Sequence, residues 1–510
     1  MTPTITLDAP LSAAGIAAVA DGADLVLSAA ARERIVRARF IVEALVEQGI
    51  RGYGINTGVG ALSDIVIDRG LQRALSRNIV FSHACGIGAP LGRRETRAVM
   101  AAQIANFAHG ASGVRIEIVE TLLALLCADL LPVIPSRGSV GYLTHAAAIA
   151  LVLLGHGAVL ARDKRMTGTE ALAAVGRTAL VLEAKEGLSL VNGTPCATGL
   201  GALAVSRARH LFAWADVAAA MAYENLGAQA DAFAAETLSL RRSQGLADVG
   251  ATLRDLLSGS PRLAETTGRR TQDPLSLRAI PQIHGAARDA LTDVAAVVER
   301  ELASVTDNPA VAGTPEAPRI LSQAHAVAAA LGLSLDALGV AVAQMAAISE
   351  RRIDRLVNPL VSGLPAFLAV SDGVASGYMI AQYTAAALVA ENRGLAAPAS
   401  LGGGITSALQ EDILTHATPA ATKALALLDN LRDVLAIELL AAAQAYDLQP
   451  EERRAAPRMQ AVRRRIRALA PLYADDRPMN EDIAAVAAFL EVTEAGDATR
   501  SAGERDAPSA

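Results

Sequence analysis

From Gln323 to Val357 the chain runs about 35 residues without a proline, in a pattern that repeats its apolar positions at helical spacing. An uninterrupted helix of that length is longer than an ordinary globular helix and needs partners along its whole apolar face, so it implies a bundle. The packing material agrees. Hydrophobic residues make up 52% of the chain but aromatics only 3%, which leaves Ala, Leu and Val to fill the core. Ala and Leu are strong helix formers, so an all-α fold is expected.

No Pro/Ser/Gly-rich linker interrupts the 510 residues before the tail, which predicts one large interlocked body. Residues 1–205 mix Gly-rich loops with helices and are expected to carry the active-site loops. Residues 206–495 are expected to form the central and C-terminal helical bundle. The small, polar stretch 496–510 is expected to be disordered. The apolar run 146–161 is interrupted by Gly155, His156 and Gly157, and reads as a buried core helix rather than a membrane span. No positively charged flank with a cleavage site opens the chain, which argues the same way.

The net charge of −6 is spread along the chain and offers no footprint for nucleic acid. The locally basic run 451–469 reads as a solvated helix face or a subunit contact. Cys85, Cys127 and Cys196 are too few and too scattered for a disulfide framework or a zinc site, which suits a reducing cytoplasm, and they are expected to be small core residues. No metal site is expected.

Six separated stretches carry more specific information: GYGINTGVG at 52–60, LVNGT at 190–194, QDPLSLR at 272–278, ISERRIDRL at 348–356, SGLPAFL at 362–368 and TSALQED at 406–412. In this order and spacing the chain resembles the histidine/phenylalanine/tyrosine ammonia-lyase family from about residue 45 to about residue 450. The resemblance implies an all-α homotetramer whose active sites take residues from more than one subunit, and a small carboxylate-bearing, amino-acid-like substrate. It implies that Tyr53, set among glycines that free the loop backbone, is the base that removes the β-proton. A phenol near its ordinary pKa of about 10 needs positive neighbours for that task. The resemblance makes Arg278 the clamp for the substrate carboxylate, a role that suits a planar fork of donors. It places Asn192 and Gln272 on the substrate, His83 on a polar distal ring, and Glu411 near the amine and the base.

Members of this family carry Ala-Ser-Gly directly after a GSVG-like segment and cyclise it to methylidene-imidazolone (MIO). Here Gly138-Ser139-Val140-Gly141 runs into Tyr142-Leu143-Thr144-His145. Closing a ring on Gly138-Ser139-Val140 would require the nitrogen of a stiff β-branched residue. The expectation from sequence is therefore a site with no prosthetic group, performing MIO-independent elimination or the reverse addition, with His145 available to protonate a leaving group. Leu275, Ala326–Ala328 and Ile413 depart from the family pattern as well. Two alternatives stand beside this reading: a conventional histidine or aromatic amino acid ammonia-lyase with an unrecognised electrophile, and a non-catalytic homologue that binds ligands or co-assembles with an active one.

Overall fold

The computed structural model describes residues 3–8, 10–162, 164–371, 373–450 and 455–500. The protein is mostly helical, with 61% of the described residues in helices. The chain divides into two compact units, each assembled from three stretches. The first comprises Met1–Ser206, Val294–Asp336 and Pro398–Thr422; the second comprises Arg207–Asp293, Ala337–Ala397 and Lys423–Ala510.

All strands among the described residues lie in the first unit, where they stitch loops onto helices. Thr4–Leu7 pairs in parallel with Asp24–Leu27, and Leu130–Pro132, Ala158–Ala161 and Lys164–Thr167 form an antiparallel three-stranded sheet. The helix Arg93–Ala108 is buried from Thr96 onward, as its Ala-rich sequence allows. One short crossing matters most for the site. The helix Gln72–His83 is crossed by Glu186–Val191, and a Cβ on Gly187 would stand 2.1 Å from the Ser76 carbonyl oxygen. Only glycine permits this approach, which brings the C-terminal ends of both helices, His83 and Asn192, to one cavity.

Beneath this crossing lies a buried ion pair. Lys185, fully buried, donates from Nζ to the Ser112 carbonyl (2.7 Å) and Ser189 Oγ (2.8 Å), and lies 3.4 Å from Asp307 Oδ2. The backbone after Asp307 is tied to the cavity wall. Gln323 Nε2 donates to the Asp307 carbonyl at 2.5 Å, Gln323 N donates to Asn308 Oδ1 at 2.9 Å, and Asn192 Nδ2 donates to the Asn308 carbonyl.

The second unit buries a charge network of its own. His284 Nδ1 and Asp216 Oδ1 are 2.7 Å apart, and Arg352 Nε donates to Glu438 Oε1 at 2.5 Å, with all four side chains fully buried. Burial outweighs the Asp216 charge and holds His284 below its usual pKa.

Several expectations are corrected. The long helix begins at Ala329, not Gln323, and runs to Val357. Residues 146–161 are not one helix: Thr144–Leu153 ends at a turn in which Gly155 and Gly157 have φ of +80° and +72°, and Ala158–Ala161 is a strand. Cys85 and Cys127 are exposed and only Cys196 is buried. Residues Ala495–Thr499 form a short helix that buries Ala495, Ala498 and Thr499; the rest of the predicted tail, 501–510, lies outside the described residues. Of the basic run, residues 451–454 also lie outside the described residues, while Arg463 and Arg467 both bind Asp447.

Candidate active site

One cavity of about 970 Å³ in the first unit gathers Tyr53, His83, Tyr142, Asn192 and Glu411. The loop that carries Tyr53 is braced by its own polar side chains. Asn56 Oδ1 accepts from Gly52 N (2.8 Å), and Asn56 Nδ2 donates to the Ile50 carbonyl (2.9 Å). Gly54 has φ +62°, and a Cβ there would meet Leu188 Cδ2 at 2.2 Å. The Tyr53 hydroxyl oxygen accepts from Gly60 N at 3.0 Å. Burial raises the Tyr53 pKa above its usual value and the Glu411 charge raises it further, while the Gly60 N–H opposes them.

Glu411 is presented by a tight turn in which Thr406 and Glu411 form an isolated antiparallel bridge. Ser407, Ala408 and Leu409 within the turn all have left-handed φ, of 51°, 51° and 75°. Such backbone is costly for non-glycine residues and persists where surrounding contacts enforce it. The Tyr142 hydroxyl donates to Glu411 Oε2 across this turn. His83 closes the helix Gln72–His83, with its Nδ1 2.7 Å from the Ile79 carbonyl; burial holds its pKa below the usual value, so at neutral pH the ring is uncharged. Ala326 and Ile413, two of the departures from the family pattern, also line the cavity.

Three of the sequence-selected residues are not among the lining. His145 is buried near the start of the helix Thr144–Leu153, and its pKa is lowered by that burial. Gln272, exposed, and Arg278, partly buried, belong to the second unit. Arg278 Nε has no hydrogen-bond partner among the described residues. Tyr142 is a lining residue that sequence reasoning misses, although it stands in the segment 138–145, whose departure from the family pattern is visible.

The sequence and the fold belong with a known class of enzyme. The family of aromatic amino acid lyases matches residues 11–468, and the chain belongs to that family. Histidine ammonia-lyase of Anaeromyxobacter sp. (strain K) is 44% identical over 503 residues, covering 96% of this chain and 98% of that protein. Among solved structures, tyrosine aminomutase from Streptomyces globisporus aligns with a TM-score of 0.91 at 33% identity, covering 98% of both chains. Histidine ammonia-lyase from Trypanosoma cruzi aligns with a TM-score of 0.90 at 34% identity, covering 97% of this chain and 95% of that one.

These findings correct the expectation of a site without a prosthetic group, because histidine ammonia-lyases of this family use MIO, formed autocatalytically from their own chain. Ala-Ser-Gly occurs in this chain at 111–113 and at 375–377, though neither lines the Tyr53 cavity. At 111–113 the Ala111 carbonyl accepts from Val311 N, and at 375–377 Gly377 N donates to Asp476 Oδ1 at 3.0 Å. At the cavity itself, Ser139 is buried, its Oγ donating to the Tyr142 carbonyl (2.9 Å) and accepting from Gly141 N (3.1 Å). Tyr142-Leu143-Thr144 follow this GSVG segment in place of Ala-Ser-Gly, and the loop's own Gly138-Ser139-Val140 ends in valine rather than glycine, so the fit of this loop to the group is incomplete and no step below is routed through it.

Proposed function

We propose that this protein is a cytoplasmic amino acid ammonia-lyase, with L-histidine as its first candidate substrate, working as a homotetramer. The observation that carries the proposal is the convergence of Tyr53, His83, Asn192 and Glu411, chosen from separate sequence motifs, on one cavity. The 44% identity to a histidine ammonia-lyase supports the substrate class.

In this reading Tyr53 takes the β-proton as phenolate. The Cβ–H electron pair becomes the new double bond, and the nitrogen leaves with the Cα–N pair as ammonia. The proton on Tyr53 then passes to ammonia, which restores the base and balances the reaction. A phenol whose pKa is raised by burial and by a carboxylate needs cations when substrate is bound. The substrate ammonium is one. Arg278 of another subunit, engaging the substrate carboxylate, is the second, and its Nε, unpaired among the described residues, is consistent with a reserved donor. The neutral His83 ring suits recognition of an imidazole edge, where a charged ring would repel a protonated one.

The test is incubation with L-histidine, following ammonia release and the ultraviolet absorbance of the conjugated acrylate product. Tyr53→Phe should lower turnover by about 10²–10⁴-fold, the range for loss of a general base, while the protein still binds the amino acid. Wild-type protein that binds L-histidine, L-tyrosine or L-phenylalanine but releases ammonia from none would refute the assignment.

A further inference from the structure

Tyr142 is placed with unusual care for a residue with no assigned role. Its carbonyl accepts from Thr144 N at 3.1 Å, closing a three-residue turn around Leu143, whose φ and ψ are 75° and −76°. This is the rarer, strained form of the γ-turn. The turn is fixed from every side. Thr144 Oγ1 donates to the Gly138 carbonyl (3.0 Å), Ser139 Oγ donates to the Tyr142 carbonyl (2.9 Å), and Thr418 Oγ1 donates to the Gly141 carbonyl (3.1 Å). Strain maintained in this way at a cavity wall is a pointer to function.

The side chain is 7% exposed, lines the Tyr53 cavity and gives its one proton to Glu411. Burial first, then the bond to Glu411, push its ionisation far above the usual phenol range, so it stays a neutral donor toward the carboxylate. That arrangement leaves two acceptors on these cavity-lining residues: the phenolic oxygen lone pairs of Tyr142, and Glu411 Oε1, which has no hydrogen-bond partner among the described residues. A carboxylate and a neutral oxygen side by side match a primary ammonium, which brings a positive charge and three N–H donors.

We propose that Tyr142 is a specificity-determining residue that, with Glu411, forms a two-acceptor cradle for the α-ammonium of the substrate. A quaternary ammonium brings charge but no N–H, and the deaminated acid brings neither. The cradle therefore favours a primary amine over both. The inference rests on the proposed amino acid substrate, and the experiment separates the two.

Binding is measured calorimetrically in a Tyr53→Phe background, where turnover is slowed, with and without Tyr142→Phe. The probes are L-histidine, its α-N,N,N-trimethyl derivative and imidazole-4-acrylate; if L-histidine does not bind, L-tyrosine or L-phenylalanine with the matching derivatives take their place. Tyr142→Phe should weaken the primary amine about 10- to 100-fold, the usual worth of a hydrogen bond to a charged group, and change the other two by less than about threefold. Melting temperature should be nearly unchanged, because only one hydroxyl is removed. Equal weakening of all three ligands, or none, overturns the inference and leaves the lyase assignment standing. An amine-selective loss on Tyr142→Phe, in a protein whose wild type releases no ammonia, overturns the lyase assignment instead. Failure of every amino acid to bind overturns both.

Discussion

Replacing Lys185 by Met should destabilise the first unit severely. Both members of the Lys185–Asp307 pair are wholly removed from solvent. Burial pushes the lysine pKa down and the aspartate pKa up, while each opposes the shift in the other. Methionine keeps most of the apolar stem but leaves a carboxylate buried without its cation, a change that costs about 3–5 kcal/mol. At roughly 2–4 °C per kcal/mol for a body of 150–250 residues, the melting temperature should fall by about 6–20 °C. The double variant Lys185→Met, Asp307→Leu removes the stranded charge and should recover most of the loss. The Ser112 carbonyl would not be orphaned, since Ser189 Oγ already donates to it at 2.9 Å. Differential scanning fluorimetry on the wild type, both singles and the double closes the cycle. If the double variant melts as low as Lys185→Met, the cost was never that of an uncompensated charge, and the reasoning fails.

Four further outcomes are expected. If the site is composite, Tyr53→Phe and Arg278→Ala proteins, each inactive, should regain measurable activity when refolded together, because mixed tetramers contain sites with both native residues; no recovery would refute a shared site. Because the Tyr53 pKa lies above its usual value and the base works deprotonated, log kcat/KM should climb about one unit per pH unit between roughly pH 6 and 8; a flat profile would remove Tyr53 from that role. Gly187→Ala places a methyl 2.1 Å from the Ser76 carbonyl, so it should cost about 1–3 kcal/mol by overpacking and weaken activity through His83 and Asn192; an unchanged melting temperature would contradict the close crossing. By contrast, Gly394 is a helical glycine whose added Cβ would meet nothing within 4 Å, and its φ is not left-handed, so Gly394→Ala should stabilise by about 0.5–1 kcal/mol, read as a higher melting temperature.

Chemistry carried by short local motifs is what the sequence makes legible. Tyr53, His83, Asn192 and Glu411 are each identifiable from the few residues around them, and the fold brings all four to one cavity. What stays hidden depends on distant partners. The run 146–161 reads as one helix because its apolar residues are continuous, yet Ala158–Ala161 is drawn into a strand by pairing with Leu130–Pro132, some thirty residues earlier. The stretch Gln323–Ala328 has helical composition, but Gln323 commits its backbone N–H to Asn308 and its side-chain amide to Asp307, and the helix starts only at Ala329. Those partners anchor the start of the stretch from outside it, and no window of local sequence around Gln323–Ala328 contains them. Tyr142 is the instructive case. The segment 138–145 stands out for the family residues it lacks, and a loss is visible in a sequence because it breaks a pattern. A gain is visible only against its partner, and the partner of Tyr142 is Glu411, 269 residues away along the chain.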